Sequence, residues 1–178
     1  MPNPLSVPVE VLERAKRGDR VAHAELYTLF AAAVFTLARR MLASSALAED
    51  VLQETFVEVL CNIGRFRGEA EVGTWIKRIA INKCLMHVRS HWISRRGSTS
   101  CELAGEPESG RLDDQLALER ALDQVADVAR AVVWLHDVEG YTHDEIAGMM
   151  SRTPSFSKSQ LARAHQRLRR WLGEEVEV

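Results

Sequence analysis

No apolar run in this sequence approaches the roughly 20 residues that a helix needs to cross a bilayer, and its first residues do not have the order of a secretory leader. These absences predict a cytoplasmic chain with no membrane insertion. Cysteine is scarce: Cys61, Cys84 and Cys101 form an odd, widely spaced set, which fits reduced thiols in a cytoplasm. There is no glycine-rich phosphate loop, no closed set of metal ligands, and no nucleophile with a base at a recognisable spacing. The adjacent carboxylates Glu49-Asp50 and Asp144-Glu145 fall at helix starts, where the helix dipole and capping account for them. Cys84, His87 and His91 share a helix face at i, i+3 and i+7. They lack a fourth ligand and read as a thiol and two imidazoles rather than a metal site. No enzymatic activity and no cofactor are expected.

What the chain does have is segregated charge. The net charge of −2 over 178 residues conceals it. Residues 62–100 hold eight basic groups against two acidic ones; residues 101–127 hold two against eight; residues 128–172 hold seven against four. Two basic blocks divided by an acidic one point to two modules that face a polyanion.

The first block belongs to a helix–loop–helix unit. Leu47, Val51, Leu52, Phe56, Val59, Leu60 and Ile63 recur at three and four residues, which predicts an amphipathic helix with Glu49 and Asp50 in its first turn and Gly64 as its stop. Asp50, Gln53, Glu54 and Glu58 share its solvent side. After a loop containing Arg65 and Arg67, a second helix is predicted from Thr74 as N-cap through Trp75, Ile76, Ile79, Ala80, Lys83 and Val88. Upstream, Val9, Leu12 and Ala15 begin a short helix that stops at Gly18-Asp19. A longer one carries Leu26, Leu29, Phe30, Ala33, Val34, Leu37 and Met41 as its stripe.

From Gly97 to Gly110 the sequence is rich in Gly, Ser, Glu and Pro without helical or strand periodicity, which predicts a flexible acidic linker. Two helices are expected next, over Leu116 to Val125 and Val128 to Val138, with Gly140 as a stop. Thr142 and Glu145 form a capping box that opens a further helix. Ser157 and Gln160 read as a second capping box, opening a helix with Leu161, Ala164, Leu168, Trp171 and Leu172 on one side and Lys158, Arg163, Arg167, Arg169 and Arg170 on the other. A helix, a short turn and a basic amphipathic helix make a helix-turn-helix, whose second helix suits the major groove.

The stretches "AEDVLQETF", "RFRGEAEVGTW" and "IKRIAINKCL" resemble region 2 of the extracytoplasmic-function (ECF) group of bacterial RNA polymerase sigma factors. "VVWLHDVEGYTHDEIAGMM" and "KSQLARAHQRLRRWL" resemble region 4 of the same group. The resemblance implies an all-α chain of two small helical domains: region 2 over 1–96, a linker over 97–112 and region 4 over 113–178. It implies core RNA polymerase and promoter DNA as partners, and an anti-sigma factor or other restraining protein. Asp50, Gln53 and Glu54 match the polymerase-binding face. Arg65, Arg67, Lys77, Arg78, Asn82 and Lys83 match the minus-ten surface, with Asn82 as the base reader, Lys77, Arg78 and Lys83 on phosphates, and Trp75 as a core anchor. Ser157, Lys158, Ser159, Gln160, Arg163 and Arg167 match the minus-thirty-five helix. The turn departs from the family pattern at Ser151, Arg152 and Ser155-Phe156-Ser157. Two other readings follow the same residues: a stand-alone helix-turn-helix regulator, and a sigma-like protein with altered promoter reading.

Overall fold

The computed structural model describes residues 7–96 and 120–172. The expected linker, Cys101, and Leu116 and Leu118 of the helix after it lie outside the described residues, which are helical with no strand among them. They group into two compact units that meet within one helix, one ending at Cys84 and the other beginning at Leu85.

In the N-terminal unit, α1 (Val9–Lys16) leads through a turn at Gly18 into α2 (Arg20–Leu42). Asp19 caps α2: its carboxylate accepts from the Val21 and Ala22 amides at 2.8 and 3.4 Å and from Arg14 at 2.7 Å. The Arg14 bond and the amides hold that carboxyl below its usual range. Ala43, in the left-handed region at φ 51°, ends α2, and Ser44 caps α3 (Ser45–Asn62). So short a link makes α2 and α3 neighbours. Leu26, Phe30, Val34, Leu37 and Met41 of one helix and Ala48, Val51, Phe56 and Val59 of the other are buried, and the two helices pack against each other.

By length and composition α2 could cross a bilayer, contrary to the expectation that no run comes near that length. Its alanines and widely spaced charges give it that composition. Its buried residues nevertheless follow the three-and-four spacing of a helix packed on one side.

A 3-10 turn over Ile63–Arg65 and a short loop connect α3 to α4 (Val72–Arg96). Helix α4 starts before Thr74, which therefore is not its cap. The first intrahelical bond runs from the Trp75 amide to the Glu71 carbonyl at 3.1 Å, so Glu71 occupies the capping position. Gly73 is required there: a Cβ would sit 2.9 Å from the Phe30 ring. The missing side chain lets α4 begin against α2. Ile76, Ala80, Ile81 and Cys84 are buried along it.

In the C-terminal unit, a helical turn over 120–123 precedes α5 (Asp127–Val133). Residues Trp134–Val138 continue α5 as a π-helical turn, closed by Gly140 at φ 76°. Helix α6 (His143–Met150) carries the expected capping box, with the Thr142 amide bonded to Glu145 at 2.8 Å and the Glu145 amide to Thr142 at 3.3 Å. Helix α7 (Pro154–Leu172) packs against α5 and α6. Ala129, Val132, Leu135, Ile146, Met150, Leu161 and Ala164 form the core of this unit.

Candidate nucleic-acid interface

Helix α3 divides its surface sharply. Asp50, Gln53 and Glu54 are exposed in successive turns. The stripe continues through Val57, Leu60 and Cys61, also exposed. Leu60 was expected in the apolar face, yet 40% of it is exposed. It lies seven residues after Gln53, close to two full turns, and so returns to the side of the acidic patch. The exposed acidic patch therefore ends in an apolar tip, which composition did not reveal.

Behind that helix lies a cleft of about 530 Å³, lined by Glu58 and Asn62 of α3, the loop residues Arg65 to Ala70 other than Gly68, and Thr74, Trp75, Arg78 and Ile79 of α4. Gly68 turns the loop at φ 74°, a conformation that side chains resist. Trp75 is half-buried and packs on Phe66, ring centroids 5.2 Å apart, so it forms part of the cleft wall rather than a core anchor. Lys16 sits over the far ring of this pair, 5.8 Å from the Phe66 centroid. Three arginines and an aromatic pair around a hollow of this size suit one flat, unstacked base with its phosphates.

The sequence-predicted minus-ten residues divide into groups. Arg65, Arg67 and Arg78 line the cleft, and Arg67 lies 3.8 Å from Glu69. Lys77 and Asn82 are exposed on α4. Lys83 instead turns onto α3: its ammonium lies 2.9 Å from Glu58 and 4.0 Å from Glu54. The Glu58 hydrogen bond raises its pKa above the ordinary lysine value. Cys84 is fully buried, and burial pushes its thiol up to about 12. His91 donates to Asp127. Among the described residues, no group of three or more His, Cys, Asp or Glu side chains is arranged to hold a metal ion.

In the C-terminal unit the basic helix starts one turn earlier than expected. Pro154 occupies the first helical position, and the Phe156 amide bonds to the Thr153 hydroxyl at 3.2 Å. Ser157 is therefore not a cap. It is fully buried and hydrogen-bonded to His143 Nδ1 at 3.0 Å, which removes it from any phosphate surface. Lys158, Ser159 and Arg163 are exposed, whereas Gln160 and Arg167 are half-buried. The open face also carries Ser155, Ala162 and Gln166; of these Ser155 precedes the start expected for the helix.

The unusual turn residues have partners. The Arg152 guanidinium lies 4.5 Å over the Trp92 ring and 5.8 Å from the Phe156 centroid. Trp92 and Phe156 are 6.3 Å apart. Below them, Arg130 is buried, donating to the Val125 carbonyl at 2.9 Å and to Asp127 at 2.8 Å. Burial alone would raise the Asp127 pKa, but His91 and Arg130 outweigh it and hold the carboxyl low. Asp137 of the π-helical turn accepts from His136 and His165, each at 2.7 Å, which ties that turn to α7. His136 stacks on His143 at 4.5 Å.

Comparison with known proteins finds two family matches along the chain. Residues 26–93 match the family described as Sigma-70 region 2, and residues 115–168 match Sigma-70, region 4. The chain is 31% identical to the RNA polymerase sigma factor CarQ of Myxococcus xanthus, over 94% of this chain and 99% of that one. It is 30% identical to the ECF RNA polymerase sigma factor SigM of Mycobacterium tuberculosis, over 92% of this chain and 84% of that one. Its fold is similar to the sigma factor RpoE solved with the anti-sigma factor NepR from Bartonella quintana, with a TM-score of 0.56, 20% identity, and 84% and 96% of the two chains covered. It is also similar to CnrH solved with the cytosolic domain of CnrY, with a TM-score of 0.54, 21% identity, and 93% and 97% covered. The chain belongs to the ECF group of the sigma-70 family, and is a sigma factor that directs RNA polymerase to promoters.

Proposed function

We propose that α3 docks on core polymerase, the cleft between α3 and α4 takes up a minus-ten base, and α7 reads the minus-thirty-five element. The domain limits follow: region 2 over 1–96, a linker over 97–112 and region 4 over 113–178. The cleft itself carries this reading. A base recognised outside the duplex must leave the stack at a cost of a few kcal/mol, and a preformed hollow with cations at its edge lowers that barrier. Arg65, Arg67 and Arg78 supply the edge, and Lys77 meets phosphate outside it. The exposed Asn82 offers the donor and acceptor pair that a base edge requires.

On α3, Asp50, Gln53 and Glu54 form the charged rim of the docking face, and Val57 and Leu60 form its apolar part. On α7, Lys158 and Ser159 meet phosphate, and Arg163 reaches a base edge. Arg167, farther along, steadies the backbone contact, and Gln160, half-buried, contributes less. The cytoplasm is the compartment of this work. A restraining protein is a further expected partner, since the sigma factor RpoE was solved with the anti-sigma factor NepR.

Transcription with purified core polymerase on a promoter library tests the whole. Promoter-selective initiation that depends on this chain is expected. Asp50→Lys with Glu54→Lys should weaken core binding at least tenfold, about 1.4 kcal/mol or more, because it reverses the rim charge while leaving the buried side of α3 intact. Undiminished co-purification with core would overturn the docking assignment. The altered turn at Arg152 and Phe156 supports a second reading, a sigma factor with changed minus-thirty-five preference, which the same library would show directly. A stand-alone regulator would footprint duplex DNA without core polymerase.

A further inference from the structure

Lys83 stands apart from the arginines that line the cleft. Its side chain is only one-fifth exposed and its ammonium is spent on α3, 2.9 Å from Glu58 and 4.0 Å from Glu54. Glu58 also lines the cleft. The cleft wall thus carries two carboxylates, Glu58 and Glu69, among three arginines. Glu69 has Arg67 beside it at 3.8 Å, out in solvent. Glu58 faces the hollow from the helix side, and Lys83 is its close cation.

A carboxylate on the wall of a site that takes up a phosphodiester strand is a liability. Like charges in a partly enclosed hollow repel more strongly than in open water, because fewer water molecules screen them. Pairing removes that penalty without adding a positive group to the hollow itself. Resting on the cleft reading given above, we infer that Lys83 does not contact promoter DNA but acts as the counter-ion of Glu58, keeping the cleft wall from repelling the strand that enters it. Lys83 is then a positioning residue. It adjoins the exposed Asn82 on α4, so one ion pair both fixes the base-reading helix against α3 and neutralises the wall beside it.

The two roles for Lys83 make opposite predictions about Glu58. If Lys83 held a phosphate, removing Glu58 would not compensate for its loss. If Lys83 serves Glu58, the second change removes the charge that the first exposed. The test uses holoenzyme assembled from the full chain and core polymerase, on fork-junction DNA from a promoter that the wild-type holoenzyme opens. Lys83→Met should weaken binding about three- to tenfold, the scale of one partly screened charge pair. Glu58→Gln alone should stay within about twofold of wild type. The double variant Lys83→Met with Glu58→Gln should return to within about twofold of wild type, a rescue that neither a lost phosphate contact nor a lost structural strut would give.

Lys83→Arg should preserve binding, and amide exchange checks that every variant keeps the native fold. A double variant as weak as Lys83→Met, or a Lys83→Met holoenzyme that binds as well as wild type, overturns this inference alone. Failure of the wild-type holoenzyme to hold the fork-junction DNA overturns the proposed function and this inference with it.

Discussion

The two units place their basic residues against quite different surroundings. In the N-terminal unit the arginines ring a hollow walled by Phe66 and Trp75. In the C-terminal unit Lys158, Arg163 and Arg169 stand on the open face of α7, with the packing on the other side. A hollow reads a group that has been taken out of the duplex; an open helix face reads a duplex left intact. In the proposed function the same residue type therefore does different work in the two places: shape and local charge balance around the cleft, the identity of single exposed side chains on α7.

The largest effect expected from this contrast lies beneath the C-terminal face. Arg130 is buried and bonded to both Val125 and Asp127. Arg130→Met leaves a mostly shielded carboxylate without that partner, at a cost of about 3 kcal/mol. Thermal unfolding followed by amide exchange should show the loss in residues 120–172, with the N-terminal unit protected as before. Equal destabilisation of both units would erase the distinction between them.

A smaller, graded effect is expected on the face itself. Arg163→Ala should relax preference at one upstream base pair by about 1–3 kcal/mol. Lys158→Ala should lower binding to all promoters alike and reduce the slope of log affinity against log salt by about one. Holoenzyme binding to minus-thirty-five variants at several salt concentrations separates the two. An unchanged minus-thirty-five profile in Arg163→Ala would mean that the Arg152–Phe156 turn aims α7 differently.

The smallest effect is a pH dependence of the C-terminal unit between about pH 7 and 5. Burial, the stacked His136 ring and nearby Lys158 hold the His143 imidazole below its ordinary value of 6.5, against the opposing pull of Asp144 and Asp137. Since the folded value is the lower one, the unfolded chain takes up the proton first, and stability falls as pH drops below about 6.5. Asp137 adds a loss only near and below 3.8: burial would raise its pKa, but His136 and His165 overcome this and keep it low. In the N-terminal unit Asp19, held low chiefly by Arg14, likewise acts only in acid. Between pH 7 and 5, amide exchange in α6 and α7 should quicken while that in α2 and α3 holds steady. His143→Phe should flatten the change.

Much of the architecture was legible because it rests on local periodicity. The stripes of α2 and α3 and the Thr142–Glu145 box are written in spacings of three and four residues. What was not legible depended on contacts between distant residues. Ser157 has the identity of a cap, but His143 of the preceding helix draws it into the core, and Thr153 with Pro154 starts the helix instead. Leu60 counts as apolar in any pattern, yet the rotation of α3 turns it outward, in line with Gln53. The π-helical turn over Trp134–Val138 has no sequence signature, only the consequence that Asp137 reaches both His136 and His165. Lys83 looked like the other basic residues of α4 until Glu58 proved to be its neighbour. The cleft itself could not be read at all, because it is built from α3, the loop after it and α4 together, with the Phe66–Trp75 pair on its wall.

The central claim is that the N-terminal cleft reads a minus-ten base outside the duplex, and its most direct test is a position-by-position measurement. Holoenzyme affinity is determined for fork-junction DNA in which each base of the single-stranded minus-ten strand is replaced in turn, with wild type, Asn82→Ala and Lys77→Ala. The account predicts one position with a preference of about 1–3 kcal/mol in wild type, lost in Asn82→Ala and retained in Lys77→Ala, which weakens every DNA alike. Identical base profiles for wild type and Asn82→Ala would contradict it.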